Sequence, residues 1–328
     1  MTRRAGSALA VLGVLVVLVG MTAGCDWSRP VFQVDSYGGA GDANWGDGVC
    51  ATSYTNECTL LAAVEEANQT RVDTDILVPD GDYNSIIGIS GKIRINWGHP
   101  GNVRIYRLSV GVDGQLLIDG LSTFTTGTVG VEGRLVARNS SLSAFDLGLR
   151  VGPTGTVALE NTAVAVAFGR PAIINEGQLF LRHVSVSTVG ADGIFPLVGP
   201  ALVTQGTGTT TMWSTMVALN AERGIPPGVV ACGGNAPVSR GYNAASDLSC
   251  GLDEDGDQEG APIVFAYDAT DAFLTTAPLA GSPLIDAVPV GVNGCGTEVV
   301  DDARRAPRPV DGDDDGSAAC DIGASEVP

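Results

Sequence analysis

The sequence predicts an all-β chain built as a single parallel β-helix with a capping helix near its N-terminus. Three observations predict it. A glycine opens the same short sentence five times: Gly114-Gln-Leu-Leu-Ile-Asp119, Gly133-Arg-Leu-Val-Ala-Arg138, Gly155-Thr-Val-Ala-Leu-Glu160, Gly177-Gln-Leu-Phe-Leu-Arg182 and Gly208-Thr-Thr-Thr-Met-Trp213. The starts lie 19, 22, 22 and 31 residues apart, in the range of stacked solenoids whose units cannot bury an apolar side alone. Forty-five glycines and a charged fraction of 17%, beside a hydrophobic fraction of 44%, fit strands and turns around a real core. Only one stretch, residues 58–68, reads as a clear helix.

Residues 1–24 read as an export signal. Thr2-Arg3-Arg4 is basic, residues 8–20 form an apolar run too short for a membrane span, and Met21-Thr-Ala-Gly-Cys25 places small residues before a cysteine. Such a segment is excluded from fold reasoning. Its ending resembles a bacterial lipobox, although Thr22 stands where leucine is usual. That resemblance implies a diacylated Cys25 as the first mature residue and attachment to a membrane through that lipid. Simple secretion is the alternative, and residues 25–30 serve as a tether.

Six further cysteines remain: Cys50, Cys58, Cys232, Cys250, Cys295 and Cys320. An even count in an exported chain suggests three disulfides, with fifteen connectivities open in principle. Pairing sequence neighbours is the economical choice: Cys50–Cys58, Cys232–Cys250 and Cys295–Cys320. Each loop so closed is worth about 2–3 kcal/mol. Zinc is the weaker alternative, because no CxxC pair occurs and His99 and His183 lie far from any cysteine. A net charge of −19, with 18 basic against 37 acidic residues, repels phosphate backbones and argues against nucleic acid as a partner.

Residues 31–110 supply the N-terminal cap and first rungs. A strand at 31–35 leads into a Gly/Asp/Asn-rich loop that ends at Cys50. A helix over 58–70 follows, with Thr59 as its cap and Leu60, Val64 and Ala67 on one face. Laid across the first rung, it covers the open end of the stack. Strands are expected at 75–79, 83–89, 92–95 and 103–110.

Residues 111–225 carry the rungs. Alternation sends the second and fourth positions after each glycine inward: Leu116/Ile118, Leu135/Ala137, Val157/Leu159, Leu179/Leu181 and Thr210/Met212. The fifth position points outward and reads Asp119, Arg138, Glu160, Arg182, Trp213, so charges of alternating sign stack about 4.8 Å apart. The sixth reads Gly120, Asn139, Asn161, His183, Ser214, which suits a tight left-handed turn. His183 is expected there as a solvent-exposed turn residue. A second strand then points Leu142, Val164, Val186 and Val217 inward. The longest interval predicts an insertion near 190–200, and residues 226–328 form disulfide-rich last rungs and a cap.

Two segments resemble a known family. VFQVDSYGGAGDANWGDGVCATSYTNECTLLAAVEEANQT is similar to the N-terminal segment of secreted bacterial proteins named for a Cys-Ser-Leu-Arg-Glu-Ala signature. GSPLIDA and RAPRPVDGDDDGSAACDIGASE are similar to the C-terminal choice-of-anchor Q domain. The resemblance covers roughly residues 31–79 and 230–326. It departs where Leu61 replaces the signature arginine and Ala303-Arg304-Arg305 replaces Gln-Arg-Gly. It implies a right-handed, pectin-lyase-like β-helix at the cell surface or in the periplasm, and brings no established catalytic residue.

Polysaccharide-cutting β-helices gather carboxylates on one sheet face. In the fifth-position column, however, Glu160 lies between Arg138 and Arg182. Two cations favour its ionised form, the wrong state for a general acid. A structural charge ladder is therefore expected. Asp311, Asp313 and Asp315, followed by Gly316, open like a calcium loop, but Ile322 stands where a bidentate glutamate would. Asp253, Asp255 and Asp257 share the spacing. Structural calcium and a solvated acidic turn both remain open at each. Phe180 and Trp213 form the best small patch for a glycan or protein. The expected function is a lipid-anchored protein that binds polysaccharide or a surface protein without catalysis. A polysaccharide lyase or glycoside hydrolase, and a purely structural envelope component, are the alternatives.

Overall fold

A computed structural model describes residues 29–70, 72–125, 127–144, 147–166, 169–190, 198–221, 225–260, 263, 265–267 and 276–328. The export signal, Cys25 and the centre of the expected 190–200 insertion lie outside the described residues.

The chain is nearly all β, with long parallel ladders. After β1 (Val31–Gln33) comes α1 (Leu60–Gln69), then β2 (Thr74–Leu77), β3 (Gly81–Ile89), β4 (Lys92–Val110), β5 (Gln115–Thr125), β6 (Val129–Val131), β7 (Arg134–Ala144) and β8 (Leu149–Val151). There follow β9 (Thr156–Val166), β10 (Ile173–Asn175), β11 (Gln178–Gly190), β12 (Leu202–Thr204), β13 (Thr209–Trp213) and β14 (Met216–Ala221). The last strands are β15 (Cys232–Gly234), β16 (Val238–Ser239), β17 (Ala244–Ala245), β18 (Gln258–Glu259) and an antiparallel pair, β19 (Phe265–Tyr267) and β20 (Thr276–Pro278).

The register follows the repeat. One ladder aligns Leu116, Leu135, Val157, Leu179 and Thr210, and with them Asp119, Arg138, Glu160, Arg182 and Trp213. A second joins the three-residue strands β6, β8, β10, β12 and β15. A third runs from Leu142 through Val164 and Val186 to Val217 and Ala245. Every residue expected to point inward in the first and third ladders is buried, Thr210 included. The first ladder also starts three strands before the five repeats, because Phe32 pairs with Ile76, Ile76 with Ile95 and Ile95 with Ile118.

The repeated glycine has a steric cause. A Cβ on Gly133 would lie 2.1 Å from the Gly111 carbonyl oxygen, and one on Gly177 would lie 2.3 Å from that of Gly155. Neighbouring backbones therefore approach too closely for any side chain. The turn column has a conformational cause: Gly120, Asn139, Asn161, His183 and Ser214 all have φ between 46° and 77°.

Helix α1 starts one residue after Thr59, whose Oγ accepts the Ala62 amide at 3.0 Å. Leu60, Ala63, Val64 and Ala67 join the main core, and the helix packs on β2, β3 and β4. Asn68 completes the join: its amide donates to Gly88 O at 2.7 Å, and its oxygen accepts the Ser90 amide at 2.8 Å. Three disulfides close Cys50–Cys58, Cys232–Cys250 and Cys295–Cys320. No described helix is long and apolar enough to cross a membrane. The disulfides suggest an extracellular or periplasmic setting.

Candidate functional site

The fifth-position ladder exists, but it does not face open solvent. Glu160 sits between Arg138, at 3.5 Å, and Arg182, which donates to it through Nε at 2.8 Å. The side chains of Arg138, Glu160 and Arg182 are only 18%, 12% and 11% exposed. Residues 293–326 lie over them as a strap along the flank.

The strap runs backwards along the stack. Asn293 donates to Ser214 Oγ at 3.0 Å, and Glu298 pairs with Arg182 at 2.5 Å. The Asp301 carbonyl then accepts from Asn161, and Arg305 pairs with Asp119 at 3.1 Å. Later residues thus meet earlier rungs. The chain then returns, so that Gly323 N reaches Ser214 O at 3.0 Å and Ala324 N reaches Ser185 Oγ at 2.9 Å. Beneath it, Met216, Ala218 and Ala244 pack against Leu284, Val288, Ile322 and the Cys295–Cys320 bridge.

This covering corrects the expectation for His183. It does occupy the left-handed turn column, but it is fully buried rather than solvent-exposed. Arg308, itself buried, donates to His183 Nδ1 at 2.5 Å, so the proton resides on Nε2, which faces the Asn293 carbonyl at 3.3 Å. Burial, then Arg308 and Arg182, holds His183 well below the usual histidine range.

Around Arg308 lies a closed ionic network. Its Nε pairs with Glu326 at 2.7 Å, and its Nη2 donates to Gly323 O at 3.1 Å. Asp302 takes the Arg304 and Ala306 amides on one oxygen, and the Arg304 guanidinium and the Glu326 amide on the other. Asp321 accepts the Asp286 and Val327 amides. Burial raises Glu326 to about 8 and Asp321 to about 6, against the opposing pull of Arg308. Raised carboxyls are often catalytic. Here both residues are at most 2% exposed, so a polymer has no access to them, and their role is to hold the strap.

The acidic loops divide. Carboxylate oxygens of Asp311, Asp313 and Asp286 lie within 4.8 Å of one another, a spacing that would suit a hard cation. Asp286 is the member sequence spacing missed. Asp315 is not one of the three; its carboxylate accepts the Ser317 amide. Asp253, Asp255 and Asp257 form no such group among the described residues. Asp257 turns inward instead, accepting Ser239 Oγ at 2.6 Å and the Asn243 amide at 2.8 Å.

The expected Phe180–Trp213 patch is likewise not an open surface. Trp213 pairs with Arg182, whereas Phe180, two residues earlier, pairs with Thr211, and both rings are half-buried. Phe180 packs with Leu117, Val136 and Ala158 in its own outward column.

The residues that sequence reasoning missed are Arg308, Asp302, Asp321, Glu326 and Asp286. One signal was available. Ser141, Ala163, Ser185, Met216 and Ala244 form the outward column of the third ladder; all but Met216 are small, and all are buried. Small residues on an outward column announce a covering segment. Comparisons with family models, curated proteins and solved structures return no match.

Proposed function

We propose that this chain is an exported, lipid-anchored protein of the bacterial envelope that binds an extracellular polymer without cutting it. In this reading its rungs wind as one right-handed β-helix, of the kind found between CSLREA-type and choice-of-anchor Q segments, and Cys25 carries the lipid. The disulfides and the parallel ladders support export and the solenoid. The observation that carries the non-catalytic reading is the strap. On the outward column where carboxylates could have faced a polysaccharide, Arg182 and Asp119 instead pair with Glu298 and Arg305 of the strap, Glu160 pairs with Arg138 and Arg182, and the Asp301 carbonyl accepts from Asn161 in the adjoining turn column. Calcium, in this reading, stiffens the Asp286–Asp311–Asp313 corner and takes no part in a reaction.

The test uses the full chain with Cys25→Ser, incubated with neutral and acidic polysaccharides, with calcium and with chelator. New reducing or unsaturated ends and retention on the polymer are both measured. Retention without new ends is expected, and calcium is expected to raise the thermal midpoint without changing retention. New ends in any arm would overturn the reading. Failure of every polymer to retain the chain would favour a structural role.

A further inference from the structure

A groove of about 290 Å³ opens between α1, the loop before it and β3. Leu61 and Val64 of the helix line it, with Trp45 from the preceding loop and Ile86 from β3. Glu65 and Gln69 of the helix line it as well. Trp45 is 64% exposed and Ile86 60%. Two large apolar side chains left open around a concavity are more than scattered surface hydrophobicity.

Both walls are held in place by the same helix. Glu66 is fully buried, and its carboxylate accepts the Gly46 amide at 2.5 Å and the Gly48 amide at 2.6 Å, immediately beyond Trp45. Burying a carboxylate costs free energy unless it is hydrogen-bonded. Here both of its bonds go to the turn that presents the indole. Glu65 adds a third tie, accepting the Asp42 amide at 2.7 Å, and the Cys50–Cys58 bridge closes the loop. On the other wall, Asn68 fixes Gly88 and Ser90 of the segment that carries Ile86. The groove is therefore preformed, which lowers the ordering cost of binding.

Its chemistry selects the occupant. An exposed indole beside aliphatic side chains accepts a flat apolar face, while a carboxylate and an amide in the same lining accept hydrogen bonds from hydroxyls. A pyranose ring offers both. Glu65 and a net charge of −19 disfavour uronates, sulfates and phosphates. The volume, about 290 Å³, lies just below the roughly 300–1,000 Å³ of pockets for drug-sized ligands, which suits a single sugar unit.

We infer that this groove is a binding subsite for a neutral pyranose unit of a polysaccharide. This rests on the polymer-binding reading above and gives it a location, at the helix-capped end of the stack rather than at Phe180 and Trp213.

The test is a calorimetric titration of the full Cys25→Ser chain with cellohexaose, xylohexaose and mannohexaose, with hexagalacturonate as the anionic control. At least one neutral hexasaccharide is expected to bind, and hexagalacturonate is not. Trp45→Ala is expected to weaken that ligand at least tenfold, as is Ile86→Ala in β3, with Trp213→Ala unchanged. Thermal midpoints of the two wall variants should match the parent, since both side chains are largely exposed. No binding of any neutral hexasaccharide, or binding indifferent to both wall variants, would overturn the inference. If Trp45→Ala is still retained by the polymer, the subsite fails and the binding reading stands. If new chain ends appear, the non-catalytic reading fails whatever the groove does.

Discussion

His183 occupies the turn position that asparagine fills in the two preceding rungs, and it accepts from a guanidinium where Asn139 accepts from the Asn161 amide. Its neutral ring serves Arg308 on one nitrogen and the strap backbone on the other. That assignment has a pH signature. A carboxyl raised in the folded state contributes stability that is full below its unfolded value and fades as pH climbs through the folded one. Glu326, raised from 4.5 to about 8, and Asp321, raised from 3.8 to about 6, therefore withdraw stability as pH rises across those windows. His183 acts oppositely. Its folded value is lowered, so its contribution is full above 6.5 and fades as pH falls. Thermal midpoints followed across the pH range should pass through a maximum on the mildly acidic side. Glu326→Gln should flatten the alkaline limb and His183→Asn the acid limb, asparagine being at home in that backbone conformation. An alkaline limb that persists in Glu326→Gln would assign it to other groups. Arg308→Met should cost about 3–5 kcal/mol, since it leaves buried acids without their cation.

At the scale of the rung, the glycine column sets how closely backbones stack. Gly177→Ala places a Cβ 2.3 Å from one carbonyl oxygen and 2.4 Å from another, and should cost about 1–3 kcal/mol by overpacking. Gly130→Ala is the control, because nothing lies within 4 Å of its added Cβ. Equal losses in urea unfolding would remove the steric account. The rungs were legible in the sequence because strand alternation and left-handed turns both leave local marks. Leu135 and Ala137 are inward for the same reason in every rung, and Asn139 and Asn161 mark turns through their own backbone preference. The rungs before Gly114 were legible as separate strands but not as repeats, because Trp97 stands in sequence where the later rungs carry Gly, Asn, His or Ser. The strap was illegible for a different reason. Glu298 finds Arg182 across 116 residues and Arg305 finds Asp119 across 186. Charge alone does not encode such partners. The groove was illegible too, since Trp45 and Ile86 meet only through the way Glu66 and Asn68 bind backbone on either side of one helix.

For the molecule as a whole, the strap and the rungs should behave as separate cooperative units. Replacing both Cys295 and Cys320 by serine should lower stability by about 2–3 kcal/mol. The loss should be local. Hydrogen exchange is expected to quicken at the strap amides of Ala303, Cys320 and Gly323, with Leu159 and Leu181 in the rungs unchanged. Uniform quickening would merge the two units into one. A stack of repeats is ordinarily free to gain or lose a unit, because each rung meets only its neighbours. Here the strap makes its own measurement of length. Asn293, Glu298, Asp301 and Arg305 fall opposite Ser214, Arg182, Asn161 and Asp119 only if the intervening rungs are correct in number. One extra rung would displace every later pairing by about 4.8 Å, turning matched partners into mismatches. The C-terminal segment is thus a ruler laid against the ladders, and it holds the count of rungs constant where the repeats alone would let it drift.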